Sequence, residues 1–240
     1  MMTLCLIGCG GIGYQIHEQL ARLADPATMR LVLIDGKTVG PHNIYRQHTG
    51  SAIGRNKAEV LAESVKTIAP NLTVIPIPEY ISEETVKTWG WWRDDNMVVF
   101  SGVDNNRTRV MLEELLDRRK RAVLISGGND EFAGQAVLWR RESHKDILPK
   151  PSDIDPDILL DLGRAPFEIP CDEVQVSLPQ LPLANRLVAD AMVMLWWSQV
   201  LHTPKKAFNY ITFDVRVPHM STWNRPALRD VGAQNSLTAV

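Results

Sequence analysis

The six residues Gly8-Cys9-Gly10-Gly11-Ile12-Gly13 constrain this chain more than any other stretch. They follow an apolar run, Leu4 to Ile7, and precede a segment from Tyr14 to Leu23 in which Ile16, Leu20 and Leu23 recur at helical spacing. Glycine is needed where the backbone takes positive φ or lets a phosphate approach its N–H groups, and a helix starting there adds the partial positive charge of its N-terminus. The pattern predicts strand, tight turn and helix, with a nucleotide at the turn. Arg30 to Ile34 reads as a second buried strand ending at Asp35, where a carboxylate can accept hydrogen bonds from ribose hydroxyls. Together they make a βαβ unit with a right-handed crossover. These residues alone leave NAD, FAD, SAM and ATP open, along with a purely structural glycine turn.

Beyond Asp35 the alternation continues. The stretch 36–54 has Gly, Pro, His and Asn without a period and reads as a long loop of the kind that carries function. A helix is expected from Arg55 to Ala69, stopped by Pro70, then a strand over 72–78 and a short helix opened by Ser82 that runs into WGWWRDD. A strand over 97–102, a helix over 104–120 and a strand over 122–128 follow. Such alternation implies a doubly wound sheet. Between Glu142 and Pro170, five prolines and seven Asp/Glu interrupt the pattern, which reads as a crossover loop or flap rather than a linker. Leu183 to His202 reads as a strongly apolar helix, Phe208 to Val217 as an alternating strand that extends the sheet, and the last dozen residues as frayed.

Composition narrows the partners. With 26 Lys+Arg against 28 Asp+Glu and 45 % apolar residues in 240, the chain can bury a full α/β core, and its charge offers no basic stripe for duplex phosphates despite the cluster at 118–121. Three cysteines without disulfide-like spacing suit a reducing interior, hence the cytoplasm. The N-terminal apolar run breaks at the glycines, and the run Ala191 to Leu201 falls far below the roughly 20 residues of a membrane span, so a soluble protein is expected with neither nucleic-acid nor membrane partners. The histidines have no metal-ligand spacing.

Three further blocks lie at the ends of expected strands: Asn43-Ile44-Tyr45-Arg46-Gln47, Gly54-Arg55-Asn56-Lys57, and Gly102-Val103-Asp104-Asn105-Asn106-Arg107-Thr108-Arg109. With the glycine turn, they resemble the ThiF/MoeB family, which includes the adenylation domains of ubiquitin-activating enzymes, over residues 3 to 140. The resemblance carries the GxGGxG pattern onto Gly8, Gly10, Gly11 and Gly13, and the acid closing the second strand onto Asp35. It carries N-x-x-R-Q onto Asn43, Arg46 and Gln47, the lysine of G-x-x-K onto Lys57, and the acid of T-D-N onto Asp104. A looser likeness, through Asp161-Leu162-Gly163, Pro170-Cys171, Gln180 and Asn185, points to ThiF-like proteins of bacterial plasmid and mobile-element operons.

The resemblance implies a doubly wound, mostly parallel Rossmann-like α/β sheet with antiparallel C-terminal strands. It also implies a single domain over 1–240: a nucleotide-binding core at 1–140, a crossover at 142–182 and a C-terminal helix and strand at 183–217. The family reaction is attack of a carboxylate on the α-phosphorus of ATP, giving an acyl-adenylate and pyrophosphate. Two unit charges about 4 Å apart repel by about 4 kcal/mol at an effective dielectric near 20, so the site must supply cations. The resemblance gives that work to Arg46 and Lys57 on the phosphates and to Mg²⁺ held by Asp104, with Asn43 and Gln47 positioning the triphosphate. No general base is required, since the attacking carboxylate is already ionised. The expected acceptor is a small ubiquitin-like (β-grasp) protein ending in glycine, and the expected assembly a homodimer.

Taken singly, Arg46 and Lys57 read as surface cations and Asp104 as a helix N-cap; their joint order favours the site. Asn105 and Asn106 read as turn or first-turn residues. Arg107 and Arg109 fit a solvated helix face equally well, although Arg109 has the offset of the family's helix arginine. Cys171 is a candidate thioester nucleophile, opposed by Asp172 and Glu173, which raise a thiol pKa. Cys5 and Cys9 read as structural, and the tryptophans mainly as core. Four departures stand out. Lys37 replaces a second acid two residues after Asp35, and no C-x-x-C pair exists for a structural zinc. An N-terminal segment carrying an arginine to a partner's ATP is expected to be missing, as is a ubiquitin-fold or rhodanese module after the sheet. A catalytically lapsed ATP-binding adaptor and, third, an NAD-dependent oxidoreductase remain alternatives.

Overall fold

The computed structural model describes residues 1–43, 52–160, 162–163, 181–202, 206–217 and 219–225. Strands β1 (Met2–Ile7), β2 (Met29–Ile34), β3 (Thr73–Ile77), β4 (Met97–Ser101) and β5 (Ala122–Asn129) are parallel, in the order β3-β2-β1-β4-β5. The sheet continues antiparallel through β6 (Ala133–Glu142), then β8 (Tyr210–Asp214) and β9 (His219–Trp223), while β7 (Lys145–Leu148) pairs with β6. This is the doubly wound, mostly parallel sheet with antiparallel C-terminal strands that the sequence implied. The edge strand β3 carries Pro76 one residue before its end.

Both faces are covered. Leu4 and Leu6 of β1 join a cluster with Ile16 and Leu20 of α1 (Gly11–Leu23), Leu61 and Val65 of α2 (Lys57–Ile68), and Val188 and Met192 of α6 (Pro182–Leu195). Cys5 and Ile7 point to the other face. They meet Val86 of α3 (Glu83–Thr88), Leu112 and Leu116 of α4 (Asn106–Asp117) and Trp92. A strand buried on both sides reads as a continuous apolar run, which is why β1 and β2 look as they do in sequence.

The order reverses beside β1: the chain winds out to β2 and β3, then returns to lay β4 on the opposite flank. There Gly8 adopts φ +86°, and a Cβ on it would lie 2.9 Å from the carbonyl oxygen of Gly102. Behind it, a Cβ on Gly13 would lie 1.9 Å from the carbonyl oxygen of Gly8. The first turn of α1 is therefore pressed against the end of β1.

Three features differ from the sequence reading. Strand β6 fills a stretch given no element there, because Ala136, Val137, Leu138 and Trp139 are all buried and show no alternation. The proline-rich crossover holds β7, a short helix α5 (Pro151–Ile154) and a 3₁₀ turn at Pro156–Leu159. The late helix keeps α geometry only to Leu195 and continues as a π-helix over Trp196–Leu201. Trp92 and Trp196 are buried, as core packing requires, whereas Trp197 is 41 % exposed. No described helix is long and apolar enough to cross a membrane. Gly13→Ala is expected to lower stability by about 3 kcal/mol, read from the urea midpoint. Gly10→Ala, whose Cβ meets nothing within 4 Å, stays within about 1 kcal/mol.

Candidate functional site

A crevice opens at the C-terminal ends of β1, β2, β4 and β5, where the strand order reverses and where open α/β sheets take their ligands. Its organising residue is Asp35, one position past β2. Oδ2 accepts the Cys9 N–H at 2.7 Å and Oδ1 the Lys37 N–H at 2.8 Å, so one carboxylate ties the glycine turn to the loop after β2. Burial pushes its pKa up, while the Lys57 ammonium, the two N–H groups and the Lys37 ammonium restrain the rise. Beside it the Tyr80 ring lies over Gly36, where a Cβ would approach the ring to 2.6 Å.

Lys57 opens α2 and is 93 % buried, against the surface position that a lone lysine suggests. Its neighbour Asn56 explains this. The Asn56 side-chain oxygen accepts the N–H groups of Ala58 (2.8 Å) and Glu59 (3.3 Å), and its Nδ2 donates to the Asp35 carbonyl oxygen at 2.8 Å. The cap thereby fastens the start of α2 to the end of β2, and Lys57 lines the crevice.

Asp104 follows β4 and is not the N-cap of α4. Asn105 takes that place, accepting the Thr108 N–H at 2.8 Å, and leaves the Asp104 carboxylate to the crevice. Lys37 Nζ stands 3.6 Å from Asp104 Oδ2. Neighbouring atoms strip part of its water and push its pKa up, but Lys37, the Asn105 amide and Lys57 outweigh that and hold it below the ordinary carboxylate range. Arg109 lies in the crevice wall rather than on a solvated face. Its Nη2 donates to the Val103 carbonyl oxygen at 2.8 Å and its Nη1 to Ser126 Oγ at 3.3 Å, and desolvation lowers its pKa. Arg107 is exposed and Asn106 is the first residue of α4.

The structure thus gathers Gly8, Gly10, Gly11, Asp35, Lys57, Asp104 and Arg109 around one crevice, with Gly13 packed behind Gly8. Asn43 is fully buried: its Oδ1 accepts the Gly40 N–H at 2.8 Å, and its Nδ2 has no hydrogen-bond partner among the described residues. Arg46, Gln47 and Cys171 lie outside the described residues. The sequence reading did not single out Asn56 or Tyr80; an Asn directly before a helix is a capping signal that would have marked the first. Among the described residues no three His, Cys, Asp or Glu side chains converge as a metal cluster. The single carboxylate of Asp104 still suits Mg²⁺, which takes one or two carboxylates and completes its shell with water and phosphate oxygens.

Cys5 and Cys9 are buried, and burial pushes both thiols up, with the Asp35 charge adding to the rise at Cys9. Iodoacetamide on the folded chain is expected to leave both unmodified, as peptide mapping would read. Asn56→Ala is expected to cost about 1–2 kcal/mol, read by urea unfolding.

Comparison with known proteins follows the same geometry. A tRNA threonylcarbamoyladenosine dehydratase of Haemophilus influenzae is 35 % identical over 127 residues, covering 52 % of this chain and 47 % of that protein. A SAMP-activating enzyme E1 of Haloferax volcanii is 29 % identical over 134 residues, covering 55 % and 47 %. The chain therefore spans about half the length of these curated relatives. Among solved structures, Escherichia coli MccB with ATP superposes with a TM-score of 0.66 at 17 % identity, covering 93 % of this chain and 63 % of MccB. PaaA superposes at 0.65 and 14 % identity, covering 93 % and 64 %; both likenesses show the fold. The ThiF family model matches residues 2–153, which span the glycine turn, Asp35, Lys57 and Asp104, and the chain belongs to the ThiF family.

Proposed function

We propose that the chain is an ATP-dependent adenylyltransferase that activates the C-terminal carboxylate of a small ubiquitin-like (β-grasp) protein. The observation that carries this reading is the meeting of a glycine turn, the Asp35 carboxylate and a buried lysine in one crevice at the strand reversal. A carboxylate oxygen attacks the α-phosphorus, the bond from that phosphorus to its bridging oxygen breaks, and pyrophosphate leaves with the electron pair. Asp35 holds the ribose hydroxyls, and the N–H groups at the start of α1 meet phosphate oxygens. Lys57, and Arg46 by resemblance, neutralise the triphosphate so that a second anion can approach. Mg²⁺ supplies further charge neutralisation when bound with the nucleotide, and Asp104 would hold it.

The relative named for activating SAMP supports a protein acceptor. Transfer of the acyl group to Cys171 as a thioester, or to a sulfur donor, belongs to this proposal, as do a homodimer and a cytoplasmic location. A second reading, an ATP-binding adaptor without turnover, is favoured by Lys37, which places an ammonium on the carboxylate that the reaction assigns to the metal.

ATP–pyrophosphate exchange with labelled pyrophosphate separates the two. Exchange that depends on an added β-grasp protein ending in Gly-Gly supports activation, and tight ATP binding without exchange under any candidate carboxylate, the threonylcarbamoyl group of a tRNA included, supports the adaptor. Lys57→Ala is expected to lower the exchange rate by about 100-fold or more while leaving the circular-dichroism spectrum unchanged.

A further inference from the structure

We propose that Lys37 is the resident counter-ion of Asp104, so that this chain accepts a nucleoside triphosphate without a divalent cation, and a cation arriving with the nucleotide must displace the lysine. The inference rests on the nucleotide reading of the crevice and adds the metal requirement of that site.

The main chain of Lys37 is fixed from several sides. Its N–H donates to Asp35 Oδ1 at 2.8 Å, and its carbonyl oxygen accepts the Lys57 N–H at 3.0 Å and the Asn56 Nδ2 at 3.4 Å. Its side chain therefore starts from a rigid point past β2 and reaches to the loop past β4, over the end of β1. There Nζ stops 3.6 Å from Asp104 Oδ2. The other charges facing that carboxylate are Lys57 and Arg109, both cations of the crevice wall. Two further carboxylates line the crevice: Asp35, whose oxygens each accept a main-chain N–H and face the ribose of the proposed function, and the exposed Glu79 past β3.

Asp104 is the carboxylate to which the proposed function assigns the divalent cation, and an ammonium already stands beside it. A bare Asp104 would repel the phosphates of metal-free ATP. With Lys37 beside it, the repulsion is cancelled before any ligand arrives. With a divalent cation bound alongside ATP, Lys37 would give up Asp104 and its ammonium would be free for a phosphate oxygen. Both side chains are partly exposed, 39 % for Lys37 and 64 % for Asp104, so the exchange of partners happens at the mouth of the crevice without unfolding.

The test is a double-mutant cycle on the full 240-residue chain, with equilibrium dialysis against labelled ATP in EDTA and in magnesium chloride. Lys37→Met is expected to weaken metal-free ATP binding about fivefold and to weaken binding in magnesium less, which steepens the magnesium dependence. Adding Asp104→Asn to Lys37→Met is expected to restore metal-free binding, because the uncompensated charge is gone. Thermal melts of each variant establish that it is folded. The proposal is overturned if Lys37→Met changes affinity by the same factor in both buffers, or if Asp104→Asn gives no recovery. Wild-type chain that binds ATP in neither buffer overturns the nucleotide reading itself, an outcome distinct from wild-type binding that is indifferent to residue 37.

Discussion

A single carboxylate holding two main-chain N–H groups keeps the ligand end of this fold together. Asp35 sits where β2 stops, and through Cys9 and Lys37 it joins the glycine turn after β1 to the loop after β2. Hydrogen bonds to a charged acceptor contribute about 1.5–3 kcal/mol each, which lessens but does not cancel the cost of holding the carboxylate away from water. The same residue is the ribose acceptor of the proposed function, so the element that orders the turn also faces the nucleotide.

From that anchor the cations fall into place by short covalent steps. Asn56 grips the Asp35 carbonyl oxygen with one end of its amide and caps α2 with the other, and Lys57 is the next residue along. On the opposite flank, Asn105 caps α4 and frees the adjacent Asp104. Each charged group is one residue from an asparagine that has taken over the local hydrogen bonding. This division of labour satisfies the helix termini without spending the charged side chains on them.

The sequence made β1, α1 and β2 legible because glycines punctuate an apolar run and a helical period at one place, and Asp35 followed from the end of the second run. Lys57 and Asp104 were legible only jointly, since each alone has a common surface or capping role. Strand β6 was not legible: Ala136 to Trp139 are covered on both faces, so neither a period of two nor a turn signal marked them. The place of Arg109 was likewise hidden, because helical spacing does not say whether a face meets solvent or the wall of a crevice. The pairing of Lys37 with Asp104 depends on which strand ends are neighbours, and only the reversal of strand order beside β1 brings those two loops together. The π-helix beyond Leu195 had no signal in apolar spacing, which suits either helical form.

Pro76 gives the two borders of the sheet unequal character. In the outermost parallel strand a residue without an N–H presents a gap in the donor row, and prolines tolerated at such positions turn that gap toward solvent. Accretion of a foreign strand along this border would fail near its C-terminal end. The margin nearest the crevice is thereby guarded against edge-to-edge aggregation by one ring of three methylene groups.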